Sequence, residues 1–271
     1  MQSRLKDKWV LITGASSGFG AAAAVAFGAE GCNLLLGARR RDRLEKVASE
    51  ARSKGAPQAH FQILDVSKTS SVNDFMAWAR ERILNGHGEP KLDVLINNAG
   101  GAQGLDTVAE AKDEDWETMF QTNALGVLRM TRAALPLMLR NPGGSIINIG
   151  SHAGRNAYEG GAAYCGAKAA ELQITRALRL ELFGTGLRVS TVDPGLAETE
   201  FSLVRFKGDK AKAKKPYEGT RPLVAEDIAE ILVWVANRPA HVDIDELVVK
   251  PTDQAAIHKV FRRGPAGKGA Q

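Results

Sequence analysis

The stretch WVLITGASSGFG, residues 9–20, decides the fold of this chain. Its first five residues are apolar or β-branched, which predicts a short buried strand, and Gly14 follows at once. Gly18 and Gly20 then open an alanine-rich stretch that predicts a helix. Glycine lets a backbone come close to a pyrophosphate, and the free N–H groups at a helix start favour its negative charge. The order of strand, glycine turn and helix therefore predicts a nucleotide-binding unit.

The remainder of the chain repeats this alternation of short apolar runs and longer helical patterns. Strands are predicted at residues 9–13, 33–37, 60–65, 92–97, 145–150, 187–193 and 246–249. Helices are predicted at residues 18–29, 41–54, 70–84, 113–122, 123–139, 157–183 and 225–237. Alternation of this kind implies right-handed βαβ units around a parallel sheet. We therefore expect an α/β fold with a Rossmann-type doubly wound parallel sheet of about seven strands flanked by helices.

Length and composition favour one large domain. The chain has 271 residues, of which 44% are hydrophobic and 25% charged, as is ordinary for a globular protein. We expect a single domain at residues 1–261. Residues 196–222 stand outside the alternation and are expected to form an insertion over the edge of the sheet, either a mobile lid or a solvated loop without a role. Residues 262–271, rich in Gly, Ala and Arg, are expected to form a flexible tail.

Several classes of function are disfavoured by composition. No apolar run approaches the ~20 residues of a membrane helix, and no secretion signal is recognised at the start. Cys32 and Cys165 lie far apart, which suits a reducing environment, so we expect a cytoplasmic protein with no membrane partner. The net charge of +5 resides largely in residues 207–215 and 262–268, where no aromatic residues interleave, so we expect no nucleic-acid partner. The five histidines show no ligand spacing, so no metal is expected.

Two further stretches extend the predicted nucleotide site. The second strand runs into Arg39 and Arg40, where an acidic residue usually meets a free ribose 2′-hydroxyl and an arginine suits a 2′-phosphate instead. We therefore expect NADP(H) rather than NAD, unless these arginines are only the solvated first turn of a helix. Asp65 ends the third predicted strand and Val66 follows it, and the edge of an adenine could lie against them. The small residues of Asn98-Ala99-Gly100 let the backbone approach a cofactor.

Tyr164, Lys168 and Ser151 predict the chemistry. Tyr164 and Lys168 are four residues apart in a predicted helix and therefore share a face. A free tyrosine has a pKa of ~10, and a nearby ammonium favours the phenolate and lowers that pKa. Ser151 follows a predicted strand, so it is either a simple loop residue or a hydroxyl that holds a substrate oxygen. The three groups together can move a proton on and off an alcohol oxygen, which predicts an alcohol–ketone oxidoreductase.

At this point the chain resembles the short-chain dehydrogenase/reductase family over residues about 6–250. The motifs that carry the resemblance are T-G-x3-G-x-G from Thr13, Asn97-Asn98-Ala99-Gly100, Asn123-x-x-Gly126, Ser151, Tyr164-x3-Lys168 and Pro194-Gly195-x3-Thr199. All of them occur in the order and spacing of the family. The resemblance implies that Tyr164 takes the alcohol proton as hydride leaves for C4 of the nicotinamide, and that Lys168 holds the nicotinamide ribose. It also implies that Asn123 orders a water beside Lys168, although a helix N-cap or kink would explain this asparagine equally well.

The resemblance assigns roles to two sets of residues. The catalytic residues it implies are Asn123, Ser151, Tyr164 and Lys168. The cofactor-binding residues predicted from the motifs and from the resemblance together are Gly14, Ser16, Ser17, Gly18, Phe19, Gly20, Arg39, Arg40, Asp65, Val66, Asn98, Ala99, Gly100, Tyr164, Lys168, Pro194, Gly195 and Thr199. The family is usually tetrameric, so the resemblance also implies a homotetramer that pairs the helices predicted at 123–139 and 157–183.

A narrower similarity lies on the C-terminal side. Residues 200–209, 239–242 and 249–252 are similar to an NADP-dependent 3-hydroxy acid (serine/L-allo-threonine) dehydrogenase group of the family. This similarity implies oxidation of the 3-hydroxyl of small 3-hydroxy acids, with Arg155 and Arg205 as candidates for the substrate carboxylate. The alternatives are a broader carbonyl or diketone reductase of the same family and a non-catalytic NADP-binding sensor.

Overall fold

The computed structural model describes residues 3–84 and 89–264, and its centre is a seven-stranded parallel sheet. The strands are β1 (Trp9–Thr13), β2 (Asn33–Ala38), β3 (Ala59–Ile63), β4 (Val94–Asn97), β5 (Ser145–Ile149), β6 (Arg188–Pro194) and β7 (Glu246–Val249). Their order across the sheet is β3-β2-β1-β4-β5-β6-β7. This order reverses between β1 and β4, which opens a crevice outside the carboxyl ends of these strands. The predicted doubly wound parallel α/β fold is confirmed.

Helices cover both faces of the sheet. The α-helices of the described chain are α1 (Gly18–Ala29), α2 (Arg41–Lys54), α3 (Thr69–Leu84), α4 (Asp113–Asn123), α5 (Leu125–Met138), α6 (Ala162–Glu181), α7 (Glu200–Arg205), α8 (Lys210–Lys214) and α9 (Ala225–Ala236), of which α7 and α8 lie outside the two layers. Along β1, Val10 and Ile12 pack in the apolar layer with α1, α2 and α9, whereas Leu11 packs in the opposite layer with α3, α5 and α6. The strand is apolar throughout because successive side chains enter different layers.

The helix predicted at 157–183 starts later than expected. α6 begins at Ala162 because the preceding residues form a turn around Gly160, whose φ is +71°. A Cβ at this glycine would lie 2.4 Å from the carbonyl oxygen of Leu105, so glycine lets the turn pack closely against that loop. Tyr164 therefore lies in the first turn of α6, immediately after the turn that faces the cavity described below.

A second boundary differs at Asn123. This residue was predicted to begin the helix at 123–139, but it is the last residue of α4, and α5 begins at Leu125. Asn123 is fully buried at the break between the two helices. It is therefore a structural residue of a helix break, as one of the two interpretations expected. The ends of the other predicted elements differ from the observed ones by at most two residues.

The segment 196–222 contains secondary structure that the sequence patterns did not predict. It folds into α7, α8 and a short 3₁₀ turn at Lys215–Tyr217. The Tyr217 hydroxyl donates to the carbonyl of Ala197 at 2.9 Å and bonds the Ser202 hydroxyl at 2.6 Å, which ties the two ends of the segment together. The segment lies over the carboxyl edge of the sheet and forms one wall of the cavity there. Its mobility stays a prediction.

The C-terminal part adds a two-stranded hairpin, β8 (Gln254–Ala256) and β9 (Lys259–Val260). The Arg263 guanidinium pairs with the Asp253 carboxylate beside this hairpin, with one nitrogen–oxygen distance of 2.9 Å. The first residues of the expected tail therefore contact the domain, and residues 265–271 lie outside the described residues. Among the described residues, no helix combines the length and the hydropathy that crossing a membrane requires.

Candidate active site

A cavity of about 690 Å³ opens at the carboxyl ends of the strands, where the strand order reverses. All but one of the residues predicted to bind the cofactor or to react line this cavity. They are Gly14, Ser16, Ser17, Gly18, Phe19, Arg39, Arg40, Asp65, Val66, Asn98, Ala99, Gly100, Asn123, Ser151, Tyr164, Lys168, Pro194, Gly195 and Thr199. The fold therefore brings motifs from the whole length of the chain to a single site.

The turn after β1 is shaped by two glycines. Gly14 has a φ of +66°, and a Cβ there would lie 2.8 Å from the Cα of Ala99. Gly20, predicted as a cofactor contact, does not line the cavity: a Cβ at this position would lie 2.4 Å from Asn98 Nδ2. Its role is to let α1 pack against the end of β4. Asn98 Nδ2 in turn donates to the carbonyl of Thr13 at 2.9 Å, which joins the ends of β1 and β4.

Positive charge gathers at one end of the cavity. The Arg40 guanidinium donates to the hydroxyls of Ser16 at 3.1 Å and Ser17 at 2.6 Å. It also pairs with the Glu200 carboxylate at 3.0 Å, and Arg43 binds the same carboxylate. Hydrogen bonds from Arg43 and Arg40 hold the pKa of Glu200 below its usual range. This end of the cavity is thus built around an anion, which in the described chain is a carboxylate from the first residue of α7.

Arg39 lies beside this cluster and is exposed to solvent at the cavity rim. Burial acts to raise the pKa of the nearby Asp65, but hydrogen bonds from Ser67 and the charges of Arg39 and Lys68 lower it below its usual value. Asp65 Oδ1 accepts from the Ser67 hydroxyl at 2.6 Å, so this carboxylate fixes the turn after β3. Val66 presents an apolar contact next to it.

Tyr164, Lys168 and Ser151 line the same cavity. Tyr164 and Lys168 lie on one face of α6, and both are buried. Lys168 Nζ donates to the carbonyl of Ile149, the last residue of β5, at 2.6 Å. Ser151 follows that strand, and its hydroxyl accepts from the backbone N–H of Ala153 at 3.1 Å. The geometry places a phenol, an ammonium and a hydroxyl around one space, as the sequence motif predicted.

The electrostatics of this group differ from the expectation. Burial raises the pKa of Tyr164 to about 12, while a hydrogen bond from Ser151 and the charge of Arg205 act to lower it. Burial also lowers the pKa of Lys168. The predicted lowering of the Tyr164 pKa is therefore not found in the folded chain, where Arg205 is the cation whose charge acts in that direction. A contribution of Lys168 to that lowering stays a prediction.

Asn123 binds the backbone at the end of β4. Its Oδ1 accepts from the N–H of Gly101 at 3.0 Å, and its Nδ2 donates to the carbonyls of Gly101 and Met119, both at 2.8 Å. A Cβ at Gly100 would lie 2.5 Å from Asn123 Oδ1 and 3.8 Å from Lys168 Nζ. Asn123 thus fixes the loop after β4, which passes close to Lys168 Nζ, and its role in ordering a water stays a prediction.

The two arginines considered for a substrate carboxylate have different surroundings. Arg155 is already paired with Asp193 at 2.5 Å and with Glu246 at 2.6 Å, and it does not line the cavity. Arg205, in the last turn of α7, lines the cavity with its guanidinium carbon 5.7 Å from the ring centre of Tyr164. Only Arg205 is therefore placed to meet an anion next to Tyr164.

An apolar wall near Tyr164 was not indicated by any sequence pattern. Its members within the described residues are Leu105, Tyr158, Phe201 and Ile257. The Phe201 ring centre lies 5.4 Å from that of Tyr164. These side chains come from separate loops and short helices, and their spacing in the sequence carries no periodicity that could have joined them. They leave a small, mostly apolar space in front of the phenol.

The arrangement agrees with comparisons to known proteins. A family model described as short chain dehydrogenase matches residues 8–209. A Schizosaccharomyces pombe protein named NADP-dependent 3-hydroxy acid dehydrogenase is 42% identical over 262 residues, covering 96% of this chain and 99% of that protein. A Chromohalobacter salexigens protein named sulfoacetaldehyde reductase 2 is 42% identical over 247 residues, covering 91% and 95% of the two chains.

A solved structure is similar at the level of the whole fold. It is described as the closed form of serine dehydrogenase complexed with NADP+, and its TM-score with this chain is 0.82 at 39% identity. The alignment covers 94% of this chain and 100% of that chain. The chain is therefore similar to these proteins in sequence, and to the solved structure in fold, over nearly its full length.

Proposed function

The chain belongs to the short-chain dehydrogenase family, and from this premise we propose that it is an NADP(H)-dependent oxidoreductase that oxidises the 3-hydroxyl of small 3-hydroxy acids. In general terms it interconverts a primary or secondary alcohol and a carbonyl. The observation that carries the proposal is the meeting of Tyr164, Lys168 and Ser151 in one cavity whose other end is lined by Arg39 and Arg40. The name of the S. pombe relative and the NADP+ complex of the structural neighbour support it.

The residues present fit NADP(H). The glycine turn and the start of α1 offer free backbone N–H groups for a pyrophosphate. Arg40, held by the Ser16 and Ser17 hydroxyls, and Arg39 at the rim would bind a ribose 2′-phosphate. A phosphate there would compete with Glu200 for the Arg40 guanidinium. The cation cluster thus favours the phosphorylated dinucleotide.

The chemistry of the proposal rests on proton movement at the Tyr164 hydroxyl. When bound, the nicotinamide exchanges a hydride with the substrate carbon and, when oxidised, adds a positive charge to this end of the cavity. Tyr164 removes the proton from the alcohol oxygen during oxidation and returns it to the carbonyl oxygen during reduction. The Ser151 hydroxyl holds that oxygen, and the Lys168 ammonium holds the ribose hydroxyls.

An acidic substrate is favoured by Arg205. Its Nε donates to the carbonyl of Gly104 at 2.9 Å, and its guanidinium carbon lies over the rings of Tyr158 and Tyr164. A carboxylate bound to this guanidinium would place the 3-hydroxyl near Tyr164. The two relatives are named for a 3-hydroxy acid and for sulfoacetaldehyde, and both names describe small molecules with an anionic group.

The homotetramer and the cytoplasmic location stay predictions. Exposed apolar side chains on or next to α5 and α6 support the assembly, since Leu128, Leu180 and Phe183 are 41%, 79% and 91% exposed in the isolated chain.

The function is tested by turnover. We expect serine, L-allo-threonine, 3-hydroxyisobutyrate or 3-hydroxypropionate to reduce NADP+, followed at the absorbance of the reduced nicotinamide. Tyr164→Phe should lower kcat by about 10²–10⁴-fold because it removes the acid/base group. Its NADPH affinity, measured by fluorescence, should stay unchanged.

Tyr158→Phe is the matched control, since Tyr158 lines the same cavity but has no lysine four residues later. Its kcat should stay within about tenfold of the wild type. Turnover by Tyr164→Phe near the wild-type rate would contradict the mechanism. Cofactor binding without turnover of any substrate would favour the sensor, and turnover of neutral diketones alone would favour the broader reductase.

The preference for NADP is expected to depend on Arg39 and Arg40. In the double variant Arg39→Asp/Arg40→Ala, kcat/KM with NADP+ should fall by about 100-fold, since charge-assisted hydrogen bonds contribute about 1.5–3 kcal/mol each. Activity with NAD+ should be retained. Steady-state kinetics with both cofactors measure this, and Arg41→Ala, which removes a charge beside Phe61 rather than in the cavity, is the control. An unchanged ratio of the two kcat/KM values would refute the selection.

Recognition of an acid is expected to depend on Arg205. Arg205→Met should lower kcat/KM for 3-hydroxy acids by about 10–100-fold more than for a neutral ketone of similar size, because the lost hydrogen bonds to a charged group contribute about 1.5–3 kcal/mol. The ratio of kcat/KM for the acid to kcat/KM for the ketone separates the two effects of Arg205, because its effect on the pKa of Tyr164 acts on both substrates. Lys210→Met, which removes an exposed charge on α8, should leave the ratio unchanged. An equal loss for both substrates would argue against a carboxylate contact.

A further inference from the structure

A buried carboxylate lies directly behind Lys168. Glu171 is on α6, one turn after Lys168, and its side chain is 0% exposed. Its Oε2 lies 4.0 Å from Lys168 Nζ and makes no hydrogen bond within the described residues. The mechanism above assigns no step to this residue. An ionisable side chain so deeply buried is costly to keep unless its charge is offset, which makes the ammonium its natural partner.

The Glu171 carboxylate is fixed by a chain of buried side chains that runs under the site. The single proton of Thr175 Oγ1 is shared between the backbone carbonyl of Glu171 at 2.9 Å and Glu171 Oε1 at 3.1 Å, and Thr175 Oγ1 accepts from Asn148 Nδ2 at 2.8 Å. Asn97 Nδ2 continues the chain to Asn148 Oδ1 at 2.8 Å and to Thr131 Oγ1 at 3.0 Å. The chain links α6 to β5, β4 and α5. It holds the position of the carboxylate and therefore the distance to Lys168.

The other charged groups around Lys168 already have partners. Asp193 on β6 contributes negative charge to the same region, but it is paired with Arg155 at 2.5 Å, and Arg155 also binds Glu246. Asn123, from α4, is neutral and uses its amide on the backbone. Two further titratable groups of α6 lie near Lys168, namely Tyr164 and the neighbouring Cys165. Within the described chain, Glu171 is thus the carboxylate left to offset the charge of Lys168.

We propose that Glu171 is a positioning residue that keeps Lys168 in its ammonium form, and aimed at the cavity, across the working pH range. The inference rests on the proposed function, because Lys168 matters only if Tyr164 and the cofactor ribose act beside it. It differs from that function in assigning a role to a group that touches neither substrate nor cofactor.

The direction of the effect follows from burial. Burial lowers the pKa of Lys168, and Glu171 is the first of the charges that raise it again, followed by Asp193. Burial raises the pKa of Glu171, and Lys168 is the first group that lowers it. Each partner shifts the pKa of the other toward the charged form. A lysine without this carboxylate would lose its proton at lower pH, and the ribose contact and the charge near Tyr164 would weaken from that pH upward.

The test is the pH profile of alcohol oxidation. In the NADP+ complex of the wild type, kcat is expected to rise with pH as Tyr164, whose pKa the positive nicotinamide lowers, gives up its proton, and to fall again where Lys168 loses its own. In Glu171→Gln the alkaline fall should move down by at least about one pH unit, since an opposite charge at this distance shifts a pKa by about 1–3 units. NADPH affinity, followed by fluorescence, should weaken over the same lowered pH range and equal that of the wild type at acidic pH.

Two further variants make the result specific. Glu181→Gln removes the same charge from an exposed position of the same helix and should leave the alkaline limb in place. Glu171→Met removes the carboxylate without leaving a buried polar group and should move the limb as Glu171→Gln does, which covers the case in which glutamine is not tolerated. If either Glu171 variant is active and its kcat falls at the same alkaline pH as that of the wild type, the inference is overturned. A wild type that neither binds NADPH nor turns over any alcohol would instead be a failure of the proposed function.

Discussion

The burial of an amine and a phenol on one face of α6 is the constraint on which the site depends. Lys168 and Tyr164 are 6% and 9% exposed, and burial disfavours the charged form of each. A site of this kind cannot work through one lysine acting on one tyrosine, because the lysine also needs support to stay charged. The Glu171 carboxylate acts to keep Lys168 charged, whereas the charge of Arg205 acts to lower the pKa of Tyr164. Burial therefore favours the protonated phenol, and added positive charge beside it would favour its ionisation.

The parallel sheet brings the residues of the site together. Its strand order reverses between β1 and β4, so the loops after β1, β4, β5 and β6 all end at the same crevice. The hydrogen bonds of Asn98 and Asn123 hold the loop after β4 against β1 and α4. The arginines at residues 39 and 40 and the group around Tyr164 then line one cavity. Because the loops that carry them start from buried strands, the core of the protein sets their relative positions.

Local sequence patterns were sufficient to predict the strands of the sheet, the glycine turn and the pairing of Tyr164 with Lys168, because each of these depends on residues close in sequence. The family and the preference for NADP were also indicated by motifs, and the comparisons support both. Contacts between distant residues were not foreseen. Glu200 pairs with Arg40 across 160 positions, and no periodicity in either segment signals it. The pKa of Tyr164 was misjudged for the same reason, since burial is a property of the folded chain.

The most direct test of this account is a titration of the Tyr164 phenol, followed by phenolate absorbance as the difference between the wild type and Tyr164→Phe. Without cofactor, the account predicts no signal from Tyr164 until the pH approaches its pKa of about 12. With saturating NADP+, the signal should appear at least about two pH units lower, because the oxidised ring adds a positive charge beside the phenol. Ionisation at the same pH with and without NADP+, or near neutrality in its absence, would contradict the account.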